Sequence, residues 1–253
     1  MRRRFFVDQF ESNSAVLRGD AAEHLGRVLR AEPGQLYELS DGERVWLARV
    51  ERVEVSKREK GRIEFSLLEP IAAREPRSSL ALLISLVKFD RFEWCLEKAT
   101  ELGAAEIVPL AAARSDKPLV AAAARRQERW ERILLESAQQ SRRLRPPRIS
   151  PPMQPVQAMS QSAATSRILL SERRDAPSLR AVLQPGGLRG DSPAAGAPES
   201  VALAIGPEGG WTDGEIEAAR FSGFSPASLG ENVLRTETAV IAALAILQFT
   251  LES

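Results

Sequence analysis

Residues 201–220 read VALAIGPEGGWTDGEIEAAR. The apolar start, residues 201–205, is typical of a short buried strand. Thr212 and Glu215 have the Ser/Thr-x-x-Glu spacing of a capping box, which predicts that a helix begins after Thr212. The glycine-rich residues 206–210 between strand and helix are therefore expected to form a tight loop at the carboxyl end of a strand.

A loop in this position suggests a ligand site. Ligands of open α/β sheets bind beyond the carboxyl ends of the strands, and glycines let backbone amides approach a ligand closely. The loop contains neither G-x-G-x-x-G nor G-x-x-x-x-G-K-[ST], so it is not one of the familiar phosphate-binding loops. An ordinary glycine-rich turn explains the five residues equally well.

The composition sets limits on the kind of protein. A length of 253 residues allows one large or two modest domains. With only one cysteine and one histidine, the chain has neither an internal disulfide nor the usual zinc ligand sets. Asp8 and Glu11 precede any apolar run at the amino terminus, so no secretory signal is predicted. We expect a cytoplasmic protein without metal or membrane segment.

Charge is distributed unevenly along the chain, although the net charge is only +1. Residues 71–150 carry 15 Lys and Arg against 10 Asp and Glu, whereas residues 201–253 carry 2 against 7. The basic middle is compatible with a nucleic-acid-binding face. A solvated helix side is the commoner explanation of such a charge run, so composition alone leaves this point open.

The pattern of predicted secondary structure changes near residue 80. Residues 1–70 contain short alternating runs separated by turn signals such as Asp41-Gly42, and predict a small module resembling a β-barrel. The later residues alternate between strand and helix patterns, which predicts a mostly parallel α/β sheet. A single long helix is predicted over residues 121–143, and loops over 144–156 and 184–200.

A second motif, LRTETA at residues 234–239, follows the Leu229-Gly230 turn. Together with the glycine-rich loop it resembles the SPOUT methyltransferases, and among them the ribosomal small subunit methyltransferase E family, which methylates N3 of a uridine in 16S ribosomal RNA. The resemblance covers nearly the whole chain. Its other motifs are RRFF at residues 3–6, the His24 to Arg30 element, Lys88, Arg91 and Glu93 with KATELG at 98–103, the Arg114-Ser115 pair, and the helix at 136–143.

The resemblance implies an α/β protein with two domains. Residues 1–72 would be a PUA-like RNA-binding β-barrel, and residues 73–253 a SPOUT α/β methyltransferase domain with a trefoil knot. It further implies S-adenosyl-L-methionine as cofactor, 16S ribosomal RNA of the small subunit as partner, and a homodimer. Another SPOUT activity, such as ribose 2′-O-methylation, and a non-catalytic RNA-binding role remain alternatives.

The same resemblance points to the residues of a cofactor site. Gly206, Gly209 and Gly210 are expected to be glycines because side chains there would occupy the volume of the ligand. Glu208 is expected either to bind ribose hydroxyls or the ligand amine, or to cap the following helix. The expected cofactor contacts are Leu170, Ile205, Gly206, Pro207, Glu208, Gly209, Gly210, Leu229, Gly230, Leu234 and Thr238.

Arg235 and Glu237 are the candidate catalytic residues. A guanidinium at residue 235 would stabilise the anion that develops on the uracil, or hold the carboxylate of the cofactor. The alternative is a simple salt bridge from Arg235 to Glu237 or Glu231.

Candidate RNA contacts are basic or polar residues that would approach phosphates. His24 has packing as its alternative role, and many of the arginines have solvation. The candidates are Arg2, Arg3, Arg4, Arg18, His24, Arg27, Arg30, Lys88, Arg91, Arg114, Gln140, Arg142, Arg143 and Arg145.

Overall fold

The computed structural model describes residues 3–55, 61–73, 78–184 and 199–252, and the candidate RNA contact Arg2 lies outside these ranges. The chain divides into two compact units. The first contains Met1–Glu75 and Glu136–Pro146, and the second contains Pro76–Leu135 and Pro147–Ser253. The first unit is therefore built from two separate stretches of the chain.

A five-stranded sheet forms the first unit. Its strands are ordered β1-β3-β4-β5-β2, with β1 parallel to β3 and the other pairs antiparallel. In β5, Ile63, Phe65 and Leu67 alternate with more exposed residues and point into the core, as the period of a half-buried strand requires. The elements are β1 (Arg4–Phe6), β2 (Ser14–Arg18), α1 (Gly19–Glu23) followed by a π-helical turn (His24–Val28), β3 (Leu36–Ser40), β4 (Val45–Glu54) and β5 (Arg62–Ile71).

An ion pair between Arg4 and Glu38 lies buried within the first unit. The Arg4 Nε and Nη2 atoms donate to Glu38 Oε2 at 3.1 and 2.8 Å, and Arg4 Nη1 donates to the Arg142 carbonyl at 2.6 Å. The Ser40 hydroxyl likewise donates to the Leu144 carbonyl at 2.7 Å. Arg4 is only 8% exposed, so the prediction that it contacts RNA is wrong: its guanidinium is used to attach the Glu136–Pro146 stretch to the sheet.

The second unit contains six parallel strands in the order β11-β9-β10-β6-β7-β8, which confirms the predicted parallel α/β sheet. In β10, Val201, Leu203 and Ile205 belong to one hydrophobic cluster, and Ala202 and Ala204 to another. Both faces are covered, which explains the unbroken apolar run of the sequence. The strands are β6 (Ser78–Ser85), β7 (Ala104–Leu110), β8 (Arg148–Ile149), β9 (Ser166–Leu170), β10 (Glu199–Ile205) and β11 (Ser225–Ala227).

Helices flank this sheet. The predicted long helix over residues 121–143 is instead two helices separated by a 3₁₀ turn at Ala124–Arg126, and the first begins earlier, where Pro118 occupies the first turn. The predicted loop at 144–156 contains β8 and the start of another helix at Pro155, since proline is well tolerated in a first turn. The helices are α2 (Phe89–Glu101), α3 (Lys117–Ala123), α4 (Gln127–Gln140), α5 (Pro155–Gln161), α6 (Leu179–Leu183), α7 (Asp213–Phe221) and α8 (Thr236–Glu252).

Two features are absent from the described residues. None of the helices in these ranges is long and apolar enough to cross a membrane. The same ranges hold no group of three or more His, Cys, Asp or Glu side chains that is able to bind a metal ion.

The buried ion pair predicts a large difference between two neighbouring arginines. Arg4→Ala leaves the buried Glu38 carboxylate with only the longer contact to Arg142 Nη1 at 3.6 Å, and we expect it to lower the free energy of unfolding by about 3 kcal/mol. Arg3→Ala is the matched control, because Arg3 is exposed, and should change it by less than about 0.5 kcal/mol. Urea titration followed by circular dichroism measures both, and equal losses would contradict the role assigned to Arg4.

Candidate active site

A cavity of about 660 Å³ lies at the carboxyl ends of three adjacent strands. Because β11, β9 and β10 are neighbours and parallel, the segments that follow them meet at one edge of the sheet. Residues 170–173, 205–213 and 227–236 contribute most of the lining. The glycine-rich loop is therefore part of a concave site.

The capping box predicted from residues 212–215 is confirmed. The Thr212 hydroxyl accepts from the Glu215 amide at 3.3 Å, and the Thr212 amide donates to Glu215 Oε2 at 2.9 Å. The other carboxylate oxygen, Oε1, accepts from the Ala113 amide at 2.9 Å. Glu215 thus joins the start of α7 to the segment after β7, and it leaves no capping role for Glu208.

The Trp211 side chain packs against the glycine-rich loop. Its indole Nε1 donates to the Leu170 carbonyl at 2.9 Å, and the side chain is buried. A Cβ atom at Gly206 would lie 3.0 Å from the indole Cε2. The indole packs against the backbone at Gly206, so protein packing restricts side chains at this position; that a side chain there would also occupy ligand volume stays a prediction.

Side chains at the other two glycines of the loop would also meet protein atoms. Arg114 Nη1 donates to the Gly209 carbonyl at 2.8 Å, and a Cβ atom at Gly209 would lie 3.3 Å from the Arg114 Cβ. Gly210 has a φ of +69°, and a Cβ atom there would lie 2.3 Å from Glu172 Oε1. Arg114, a candidate RNA contact, braces the loop through its guanidinium.

Most of the candidate cofactor contacts line the cavity. Gly209 and Thr238 are not among the lining residues, and neither is the candidate catalytic residue Glu237. Residues 230–235 are exposed one after another, and they include the apolar Val233 and Leu234. The lining candidates are Leu170, Ile205, Gly206, Pro207, Glu208, Gly210, Leu229, Gly230, Leu234 and the candidate catalytic residue Arg235.

Arg235 projects from the segment between β11 and α8. It is exposed and lines the cavity, and within the described part of the chain its side chain makes no hydrogen bond or ion pair with Glu231 or Glu237. The alternative of a structural salt bridge is therefore not seen. The site thus has a guanidinium that is available to a bound anion or a developing negative charge.

Arg91 lies between two carboxylates at the side of the cavity. Its Nη1 donates to Glu208 Oε1, and its Nε lies 4.0 Å from Glu237 Oε1. The second Glu237 oxygen, Oε2, is buried and hydrogen-bonds to no described residue.

Burial, and then the Glu237 charge, raise the pKa of the Cys95 thiol to about 12, which keeps this core cysteine neutral at pH 7.

The remaining candidate RNA contacts differ in exposure. His24, Arg142 and Arg143 are half-buried, and burial, followed by the charge of Arg145, lowers the pKa of Arg143 to about 10. Arg30 and Arg142 adopt the left-handed backbone conformation that is uncommon outside glycine. The exposed candidates are Arg3, Arg18, Arg27, Arg30, Lys88, Gln140 and Arg145, of which Arg27 pairs with Glu23.

Several lining residues were not among the candidates. Trp211 and Glu172 are the most informative, because both contact the glycine-rich loop directly. Their sequence signal was weak: Trp211 directly follows the glycine-rich loop, Glu172 ends a predicted strand, and neither matches a motif. The others are Ser171, Arg173, Asp213, Ile216, Ala227, Ser228, Glu231, Asn232, Val233, Thr236 and Ala239.

Comparison with known proteins identifies the family. A family described as RNA methyltransferase domain matches residues 74–248. The ribosomal RNA small subunit methyltransferase E of Synechocystis sp. is 36% identical over 234 residues, which cover 91% of this chain and 71% of that protein. The protein of the same name from Aquifex aeolicus is 27% identical, with 96% and 97% of the two chains covered.

A solved structure agrees with these relatives. The crystal structure of a ribosomal RNA small subunit methyltransferase E from Neisseria gonorrhoeae, bound to S-adenosyl methionine, superimposes with a TM-score of 0.80 at 28% identity, and 98% of each chain is covered. The α/β architecture, the site at the strand ends and the sequence similarity over most of the chain lead to one conclusion. This chain belongs to the RNA methyltransferase domain family and, within it, to the ribosomal RNA small subunit methyltransferase E family.

Proposed function

We propose that this protein transfers the methyl group of S-adenosylmethionine to N3 of a specific uridine in 16S ribosomal RNA of the small ribosomal subunit. The observation that carries the proposal is the cavity at the ends of β9, β10 and β11, with the side chain of Arg235 unpaired among the described residues. A reducing, cytoplasmic location follows from a ribosomal RNA substrate.

The cavity suits a cofactor of this kind. Its volume of about 660 Å³ falls in the range usual for sites that enclose small ligands. Leu170, Ile205 and Leu229 provide apolar contacts, and Trp211 and Arg114 pack against the backbone of residues 206–210. The exposed Val233 and Leu234 at the rim are apolar side chains of the kind that a bound ligand covers.

Acidic groups complement the charge of the cofactor. Glu208 and Glu172 both line the cavity, and their carboxylates are suited to accept hydrogen bonds from ribose hydroxyls or from an ammonium group. When bound, S-adenosylmethionine supplies a methyl group activated by its positively charged sulfur. The surrounding residues then have only to bind the cofactor, align the base and stabilise the charge that develops.

The chemistry assigns a role to Arg235. The N3 atom lies on the Watson–Crick edge, so the uridine has to be unpaired when it enters the site. The N3–carbon bond forms as the carbon–sulfur bond breaks, the cofactor leaves as a neutral thioether, and the N3 proton passes to water. Arg235 donates to a uracil carbonyl oxygen, where the negative charge accumulates on loss of that proton. An arginine remains protonated at neutral pH, so Arg235 is not the base.

RNA binding is proposed for the exposed basic residues of the first unit. The five-stranded sheet is proposed to be the PUA-like module of a domain over residues 1–72, with residues 73–253 as the SPOUT domain and its trefoil knot; the basis is the family similarity. Arg3, Arg30 and Arg145 are exposed, and a phosphate would offset the repulsion between Arg143 and Arg145. Arg4 is too buried for this role, whereas Arg114 is exposed and stays a candidate although it also bonds to the Gly209 carbonyl.

The direct test is the product. Ribosomal RNA from cells with and without this protein, digested to nucleosides and analysed by mass spectrometry, should differ in N3-methyluridine at one position of 16S RNA. A ribose 2′-O-methyl product would instead indicate another SPOUT activity. A purified chain that does not bind S-adenosylmethionine in calorimetry would leave only a non-catalytic RNA-binding role.

Arg235→Ala should reduce methyl transfer far more than it reduces folding or cofactor affinity. If Arg235 stabilises charge that develops during transfer, kcat should fall by about 10²-fold or more. Arg235→Lys keeps the charge but loses the planar fork, and should recover little activity at a bidentate contact. Single-turnover transfer near the wild-type rate in both variants would remove Arg235 from the reaction.

We also propose that the protein is a homodimer. Helix α8 is apolar along most of its length, and Ile246 and Phe249 are 41% and 78% exposed on it. An apolar helix face of this kind is typical of a symmetric interface. Light scattering at micromolar concentration should give twice the chain mass of 27.8 kDa, and a monomer would contradict the proposal.

A further inference from the structure

Arg91 is shared between two carboxylates that belong to different parts of the site. Glu208 lies in the loop after β10, which we propose binds the cofactor, and Glu237 lies in the first turn of α8. The Arg91 guanidinium donates to Glu208, while its Nε atom remains 4.0 Å from the nearer Glu237 oxygen. The stronger of the two contacts is therefore the one to the cofactor loop.

The two carboxylates differ in what else is able to satisfy them. The Glu208 side chain is 52% exposed and lines the cavity, so solvent or a ligand is able to take the place of Arg91. The Glu237 side chain is only 18% exposed, and its Oε2 atom is buried and hydrogen-bonds to no described residue. A buried carboxylate gains more from a guanidinium partner than an exposed one does. A guanidinium partner would therefore stabilise the Glu237 carboxylate more than it stabilises the Glu208 carboxylate.

The position of Glu237 connects this pair to the reaction. Helix α8 begins at Thr236, so Glu237 is in its first turn and Arg235 directly precedes it. A contact that restrains Glu237 also restrains the backbone from which Arg235 projects into the cavity. An ion pair between Arg91 on α2 and Glu237 would join the two helices at this point.

We propose that Arg91 is a positioning residue that moves from Glu208 to Glu237 when the cofactor enters the cavity. Hydroxyl or ammonium groups of the cofactor take over Glu208, and the released guanidinium pairs with Glu237 and steadies the turn that carries Arg235. Cofactor binding thereby prepares the group that stabilises the uracil anion. The inference rests on the proposed function, because it needs S-adenosylmethionine as the ligand of this cavity.

Two single variants should differ in cofactor affinity, because only one of them should weaken binding. Arg91→Gln frees Glu208 in advance, so S-adenosylmethionine should bind as tightly as to wild type or up to about 3-fold more tightly. Glu237→Gln leaves the released Arg91 without a carboxylate, and binding should weaken by about 5-fold. Arg91→Gln/Glu237→Gln should bind like Arg91→Gln alone. Calorimetry measures all three affinities without RNA.

Transfer should respond differently from affinity. At saturating S-adenosylmethionine, both single variants should slow single-turnover methylation by about 10-fold, because Glu237 and the turn beside it are no longer restrained. Arg91→Lys keeps a cation for Glu237 and should lose less than Arg91→Gln does. Arg129→Gln is the matched control: it removes a guanidinium paired with Glu93 on the same helix α2, outside the cavity, and should leave both measurements at wild-type values.

The results separate the two proposals. If Arg91→Gln and Glu237→Gln both weaken cofactor binding, the proposed move of Arg91 from Glu208 to Glu237, called the exchange below, would be refuted. Arg91 would then keep one position in the cavity lining. If Arg91→Gln does not fold in thermal melts, the exchange is decided by Glu237→Gln and Arg91→Lys: it fails if Glu237→Gln binds and transfers like wild type. A wild-type chain that binds the cofactor but does not methylate RNA would refute the proposed function, and the affinity series would still decide the exchange. No cofactor binding at all would refute both.

Discussion

Burial of β10 on both faces is the constraint on which the site depends. Large side chains of the strand pack on one side and Ala202 and Ala204 on the other, so neither face is available for polar chemistry. Polar and charged groups are confined to the ends of the strands. Because β9, β10 and β11 are parallel neighbours, their carboxyl ends place three loops around one cavity.

The glycine-rich loop is held in shape by protein contacts. The Trp211 indole, the Arg114 guanidinium and the Glu172 carboxylate each lie against a different glycine of residues 206–210. Their contacts restrain the backbone of the loop, and Arg114 also donates to the Gly209 carbonyl. A loop that is already ordered loses less conformational entropy on binding, and this favours both affinity and alignment of the reacting groups.

The arginines show why residue type alone does not define a role. Arg3 and Arg4 are neighbours in the RRFF motif, yet one is exposed and the other forms a buried ion pair with Glu38. Arg91 and Arg114 are themselves among the candidate phosphate contacts, yet both are bonded to the loop after β10. The partners of Arg4, Arg91 and Arg114 are 34, 117 and 95 residues away along the chain, beyond the range of any local pattern.

Local patterns in the sequence determined the strand at 201–205, the capping box of α7 and the parallel sheet, because each depends on side-chain periodicity or spacing within a few residues. The glycine-rich loop could be placed at a strand end for the same reason. Tertiary structure decided what surrounds those glycines: Trp211 packs against Gly206, Arg114 packs against Gly209, and Gly210 has a φ of +69°. The tertiary structure also decided that Arg235 lines the cavity, whereas Glu237 lies 4.0 Å from Arg91. Only the fold brings α2, α8 and the loop after β10 together.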